Sequence, residues 1–293
     1  MTQLKEEVEI YKPPGSMTLA ESPVDPQLRL GLQGYPKTGK TWAALTFPNP
    51  IVLNLDRGLG AHTGRVDVID VPFYNPSFVD KIKKRDGIMA PPNRRDAILL
   101  WLSSEGMKLT SSQTLILDGS TQLQNACLAQ YNLNPKLTKS GKIDDYGEWS
   151  DKITYFGEVC ELLKLLRCNV IYLIHEIAAR NDDGDLNGMV RPLLTGQFGD
   201  QIMGHFTDWF RCHAFGKPAD DTQAKNFLEK VCGGNKSLYE EAIKSTKEEH
   251  RTIYMWQTTS DNVAKCGSST LVSAPKFIVA SAKSFNKYRR KLI

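Results

Sequence analysis

A chain of 293 residues is long enough for one large α/β domain or two small ones. At 41% hydrophobic and 24% charged, with 22 Gly and 15 Pro scattered along it, it is neither collagen-like, low-complexity nor wholly disordered. The formal charge of +4 is small but clustered, in Lys81, Lys83, Lys84, Arg85, Arg94 and Arg95 and again in Lys276, Lys283, Lys287, Arg289, Arg290 and Lys291; such clusters suit a polyanionic partner better than a membrane.

Residues 1–26 contain Glu6, Glu7, Glu9, Pro13, Pro14, Gly15, Pro23 and Pro26 and read as an acidic, proline-containing N-terminal arm. They have no apolar h-region, so no signal peptide is expected, and no run in the chain approaches the eighteen or so apolar residues of a membrane span. Short apolar runs then predict strands over residues 28–32, 51–55, 66–71, 114–117 and 170–174. Helical patterns fit between them over 94–103, 120–131 and 152–166. In the last, Ile153, Phe156, Val159, Cys160, Leu163 and Leu166 follow the 3.6 period and define a buried face. Strands rich in Val, Ile and Leu that alternate with helices predict a mostly parallel sheet covered on both faces.

After His175 the texture changes. Asn181, Asp182, Asp183, Gly184 and Asp185, then Asn187-Gly188, are turn formers flanked by Arg180 and Arg191, and they predict a projecting hairpin or loop. Residues 220–250 read as helical with a break at Gly233-Gly234, and strands return at 252–257 and 277–280. One elaborated domain over 27–280 is expected, followed by a basic C-terminal tail over 281–293. The six cysteines form no C-x-x-C and read as reduced thiols of a cytoplasmic protein.

One motif dominates. Gly34, Tyr35, Pro36, Lys37, Thr38, Gly39, Lys40 and Thr41 are the complete G-x-x-x-x-G-K-[ST] pattern, placed after a predicted strand and before an apolar helical segment. The glycines let backbone N–H groups turn inward as an anion nest. Lys40, expected as a charge on a surface loop, can reach the β- and γ-phosphates, and the Thr41 hydroxyl can bind Mg²⁺. The metal also needs an acid at the end of a neighbouring strand, and Asp118 ends the run Thr114-Leu115-Ile116-Leu117. Asp56 ends the 51–55 strand, and His175 and Glu176 follow the 170–174 strand. Ligands of open α/β sheets sit at the carboxyl ends of the strands, which gathers Asp56, Asp118 and His175 around one crevice. The catalytic set read from the sequence is therefore Lys40, Asp56, Asp118 and His175. A metal site made of His62, His205 and His213 has only their number in its favour.

These segments, with Asp145-Tyr146-Gly147, Tyr254-Met255-Trp256-Gln257-Thr258 and Val263-Ala264-Lys265, resemble the phage-type RecA-like P-loop ATPases assigned to single-strand DNA annealing and recombination. The resemblance implies a RecA-like core with the phosphate-loop strand next to the strand that carries Asp118. It implies ATP and Mg²⁺ as cofactors, Asp118 as the metal acid and His175 as a sensor that reports the γ-phosphate to a DNA-binding loop at residues 180–191. Lys265 would act in trans on the neighbouring subunit's nucleotide, in a homo-oligomeric ring or filament. Arg57 rather than an acid follows Asp56, so the resemblance does not name the catalytic base.

The leading function is therefore an ATPase that binds single-stranded DNA through Arg180, Arg191 and the tail residues Arg289, Arg290 and Lys291, with a single-strand-binding protein as a further partner. A small-molecule kinase or a switch NTPase with a protein partner are the alternatives. A GTPase would need an N-K-x-D motif, and the sequence has none.

Overall fold

The computed structural model describes residues 27–55, 58–62, 65, 67–72, 94–124, 137–180, 186–194, 198–246, 251–261 and 263–289. Among these, ten strands form one sheet: β1 (Arg29–Gly34), β2 (Pro50–Asn54), β3 (Ile69–Pro72), β4 (Thr114–Asp118), β5 (Asn169–Arg180), β6 (Leu186–Pro192), β7 (Asp208–Gly216), β8 (Thr252–Gln257), β9 (Gly267–Ser268) and β10 (Phe277–Val279). Their order is β10-β8-β7-β1-β5-β4-β2-β3, with β6 added to β5 and β9 to β7. The six strands from β7 to β3 run parallel, and β8 and β10 continue the sheet antiparallel. This is the expected α/β fold, a mostly parallel sheet with helices on both faces.

The apolar central strands are buried on both sides, and their alternation sorts side chains into two cores. Leu53, Leu117, Val170, Tyr172 and Trp209 face α2 (Arg94–Ser104) and α3 (Asp145–Leu165). Leu30, Leu32, Val52, Ile116, Ile171 and Phe210 face α1 (Lys40–Ala44) and α7 (Ala282–Tyr288). A short α4 (Phe198–Gln201) joins the first core through Phe198. The third core lies under α5 (Asp221–Lys230) and α6 (Lys236–Lys244), which the Gly233-Gly234 break separates as expected. Both of those glycines have positive φ, 59° and 76°, a conformation that ends α5 and turns the chain.

Four sequence expectations are corrected here. The phosphate-loop strand β1 does not neighbour β4; β5 lies between them and pairs in parallel with both. The run Val170–Ile174 is apolar on both faces, so it gains most from the middle of the sheet. Next, α3 begins at Asp145, capped by the Asp144 carboxylate that accepts from the Gly147 N–H at 3.1 Å, and its Ile153 is exposed, unlike Phe156, Val159, Cys160 and Leu163. The nine-residue β7 was not expected, because Asp208, Arg211 and His213 interrupt its apolar positions. Lastly, the domain extends past residue 280: α7 buries Phe285 against Phe47 and Phe210, so the start of the basic tail belongs to the core. The arm at 1–26, the 81–93 part of the first basic cluster, and Arg290 and Lys291 lie outside the described residues.

Candidate nucleotide site

The face of the sheet that carries α1 also carries the candidate site, and strand alternation puts it there. On β4, Asp118 follows Ile116 by two residues; on β5, His175 follows Ile171 and Leu173; on β2, Asn54 follows Val52. Asn54 and Asp118 are the polar last residues of β2 and β4, and His175 is the first polar member of its stripe after Ile171 and Leu173, where the pairing of β5 with β1 ends. Register aligns them, with Gly34 opposite His175 and Asn54 opposite Asp118.

The loop that leaves β1 is tightly held. Thr38 donates its hydroxyl to the Tyr35 carbonyl at 2.8 Å, and Lys37 and Gly39 both have positive φ, 65° and 79°. A Cβ on Gly34 would lie 2.6 Å from Thr38 Oγ1, so only glycine lets the loop fold back over its own start. Lys40 is not a surface charge. It is buried, and its ammonium donates to the Gly34 and Tyr35 carbonyls at 2.8 Å each and lies 3.4 Å from His175 Nδ1. Thr41 donates its hydroxyl to Asp118 Oδ2 at 2.9 Å. Lys40, Thr41, Asp118 and His175, named from three separate stretches of sequence, therefore meet at one rim.

Asp56 lies outside the described residues, but the Leu55 N–H bonds to the Asp118 carbonyl at 2.9 Å, so the chain leaves β2 at the same rim. Two polar groups that the sequence reading missed sit beside Asp118. Asn54 Oδ1 and Ser120 Oγ are buried and, among the described residues, have no hydrogen-bond partner. Buried acceptors without partners are costly unless a bound group completes them. Together with the Thr41–Asp118 pair they fit a Mg²⁺ ion and its water shell, and the Lys40 nest fits phosphate. A lone polar residue in the otherwise apolar run Ile51-Val52-Leu53-Asn54-Leu55 was the available signal for Asn54.

His175 and Glu176 do not act as a pair, because adjacent strand residues face opposite sides. Glu176 points to the α3 side, where Arg211 of β7 grips it through Nε and Nη2 at 2.9 Å each. This ion pair joins β5 and β7 across the end of β1. Beyond it, β5 continues with β6 as the expected hairpin, Ile177 opposite Arg191 and Ala178 opposite Val190. Arg180 lies on β5 opposite Leu186, and Arg191 is exposed on β6. The Val190 N–H bonds to the Val263 carbonyl at 2.7 Å, tying the hairpin to the loop that carries the exposed Lys265. Arg289 is drawn inward over the Phe285 ring at 5.9 Å. Two lysines of the second basic cluster are already paired, Lys276 with Asp261 at 3.1 Å and Lys287 with Glu241 at 2.9 Å.

The other expectations are quickly placed. Among the described residues no His/Cys/Asp/Glu group could hold a metal ion, so His62, His205 and His213 form no centre, and no helix is long and apolar enough to cross a membrane. The described cysteines are unpaired thiols, and burial pushes those of Cys160, Cys212 and Cys266 up to about 12.

A family model described as an AAA domain matches residues 27–265. The chain belongs to that family. The match covers every described group of the rim and makes the protein a P-loop ATPase by family. Solved structures similar to this AAA domain include the assembled ATPase EscN from the enteropathogenic E. coli type III secretion system, at 11% identity and a TM-score of 0.36, covering 64% of this chain and 43% of that one. The same ATPase in complex with its central stalk EscO matches at 12% identity and a TM-score of 0.32, over 63% and 42%. The chain thus spans less than half the length of those ATPases. No curated protein matches the sequence.

Proposed function

We propose that this AAA domain hydrolyses ATP with Mg²⁺ and uses the nucleotide state to control a single-stranded-DNA surface, as a cytoplasmic protein of phage-type recombination, annealing or replication. The observation that carries the reading is the meeting of Lys40, Thr41, Asp118 and His175 at one rim, with the β5–β6 hairpin continuous with His175. The loop N–H groups and Lys40 hold phosphate oxygens; to do so the ammonium exchanges its bonds to the Gly34 and Tyr35 carbonyls for the ligand. Thr41 and Asp118 hold Mg²⁺, which when bound neutralises charge on the phosphates. Asp118 keeps its carboxylate aimed at that position through Thr41, and Asn54 Oδ1 accepts from water beside it.

His175 sits between the phosphate-binding ammonium and the hairpin strand. When Lys40 turns to phosphate, the contact with Nδ1 changes, and β5 carries that change toward Arg180 and Arg191. Arg191, exposed at the base of the hairpin, contacts DNA phosphate with Arg180, and Arg289, Arg290 and Lys291 extend the surface. Asp56, which follows Leu55 in the sequence, helps position the attacking water. Assembly as a ring or filament gives Lys265, beside the hairpin, a neighbouring nucleotide to reach, and a single-strand-binding protein supplies the DNA in extended form.

The test is ATP hydrolysis by the purified protein with and without single-stranded DNA at two salt concentrations. Several-fold stimulation that weakens with salt is expected. Stimulation by a small phosphoryl acceptor and not by DNA would replace the reading with a kinase.

A further inference from the structure

The phosphate loop grips only one end of a nucleotide, and two aromatic side chains stand where the other end must go. Trp42 follows Thr41 directly, on the outer side of α1, and is 38% exposed. Its ring lies against Tyr254 of β8, with centroids 5.7 Å apart and planes tilted by 39°. Alternation along β8 brings Tyr254 there: Tyr254 and Trp256 face α1, while Ile253 and Met255 face the third core. Phe47, one turn beyond Ala43, closes on Trp256 at 6.3 Å, which fixes α1 against this strand. Tyr254 also touches the loop itself, since a Cβ on Gly39 would lie 2.5 Å from its ring. One half-buried ring therefore contacts both the second glycine of the phosphate loop and the first aromatic after it.

Core packing explains Trp256 and Phe47 but not a tryptophan left part-exposed beside a phosphate nest. A nucleotide with its γ end toward Asp118 and His175 leads its ribose and base away from the rim, over the first turn of α1. We propose that Trp42 and Tyr254 form the nucleobase platform of the site and stack a purine. This deepens the phosphate-loop reading and rests on it. Stacking tolerates different bases but grows with ring area, so purines bind more tightly than pyrimidines, and ATP and GTP are held similarly by this contact.

The experiment compares ATP, CTP and inorganic tripolyphosphate by calorimetry and by tryptophan fluorescence. In the native protein ATP binds about tenfold more tightly than CTP or tripolyphosphate, ~1.4 kcal/mol, and alone among the three quenches the emission. Trp42→Ala and Tyr254→Ala each lower ATP affinity about tenfold and leave tripolyphosphate affinity where it was. Trp42→Phe restores affinity relative to Trp42→Ala while the quench stays lost, and Tyr254→Phe restores it relative to Tyr254→Ala, which separates a missing ring from a damaged loop. The platform is overturned if all three probes bind alike, or if the alanine variants lose ATP and tripolyphosphate together. If none of the probes binds the native protein, the phosphate-loop reading fails and the platform with it.

Discussion

Removing Glu176 should cost more stability than any other single change near the site. Its carboxylate is 1% exposed and is gripped by both Nε and Nη2 of Arg211, itself only 13% exposed. Two well-aligned charge-assisted bonds satisfy the fork, and little water reaches either group. Glu176→Ala leaves the guanidinium buried and uncompensated, which costs about 3–5 kcal/mol, and Arg211→Met strands the carboxylate at a similar cost. The double variant Glu176→Leu with Arg211→Met removes both charges and keeps apolar volume, so it should cost less than either single change, ~1 kcal/mol or below. Urea unfolding followed by circular dichroism and fluorescence gives the cycle. Independent sites would instead sum to roughly 6–10 kcal/mol in the double variant. That sum, or a Glu176→Ala cost below about 1 kcal/mol, would show that the pair does not clamp β5 to β7.

Lys40→Ala should abolish ATP turnover with the fold intact, because the carbonyls it releases, Gly34 and Tyr35, lie at the loop where water can replace it; unchanged turnover would refute the site. Asp118→Asn and Asn54→Ala should each slow Mg²⁺-dependent turnover several-fold or more while metal-free nucleotide binding persists, and equal loss of both would indicate structural damage. Arg191→Ala should reduce the salt slope of single-strand binding by roughly 0.7, and an unchanged slope would remove Arg191 from the DNA surface. Stability should fall as pH drops below 6.5. Burial holds His213 below its ordinary 6.5, with Arg211 adding to the effect, and burial does the same to His62 and His205. The unfolded chain then binds more protons than the folded one between those lowered values and 6.5, so stability is present above that window and lost on descending through it. Gln257 fixes the neutral tautomer of His213: its amide donates to the Thr259 carbonyl at 2.9 Å, leaving Oε1 to accept from His213 Nε2 at 3.0 Å. A lower urea midpoint at pH 5.5 than at 7.5, with a smaller difference in His213→Asn, is expected; an identical difference in both proteins would refute it.

The phosphate loop was legible because its chemistry is local: one unbroken stretch supplies glycines, lysine and threonine together. Asp118 and His175 were legible because each is the first polar residue after an apolar run, and the carboxyl edge of a parallel sheet is where such residues collect. Strand order was not, since β4 and β5 are both apolar runs and nothing local says which one lies against β1. Nor was β7. A strand whose polar residues find partners on other elements, Asp208 with Ser268 and Thr270, Arg211 with Glu176 and His213 with Gln257, loses the alternation that would mark it. Asn54 and Tyr254 depend on register and on a contact between distant strands, which sequence spacing does not carry.

The His175-Glu176 dipeptide makes β5 intolerant of a change in length. A one-residue insertion between Leu173 and His175 would rotate every later side chain of the strand to the other face. The imidazole would then meet the Arg211 guanidinium, Ile174 or the inserted residue would face the Lys40 ammonium, and the carboxylate would move to the place of Ile177, out of reach of Arg211. Among the described residues, none of the hairpin between Ala178 and Val190 belongs to a sheet core, so that parity does not extend there. Natural or engineered variation in this protein should therefore add or remove residues freely at the hairpin tip, and in the strand beneath it not at all.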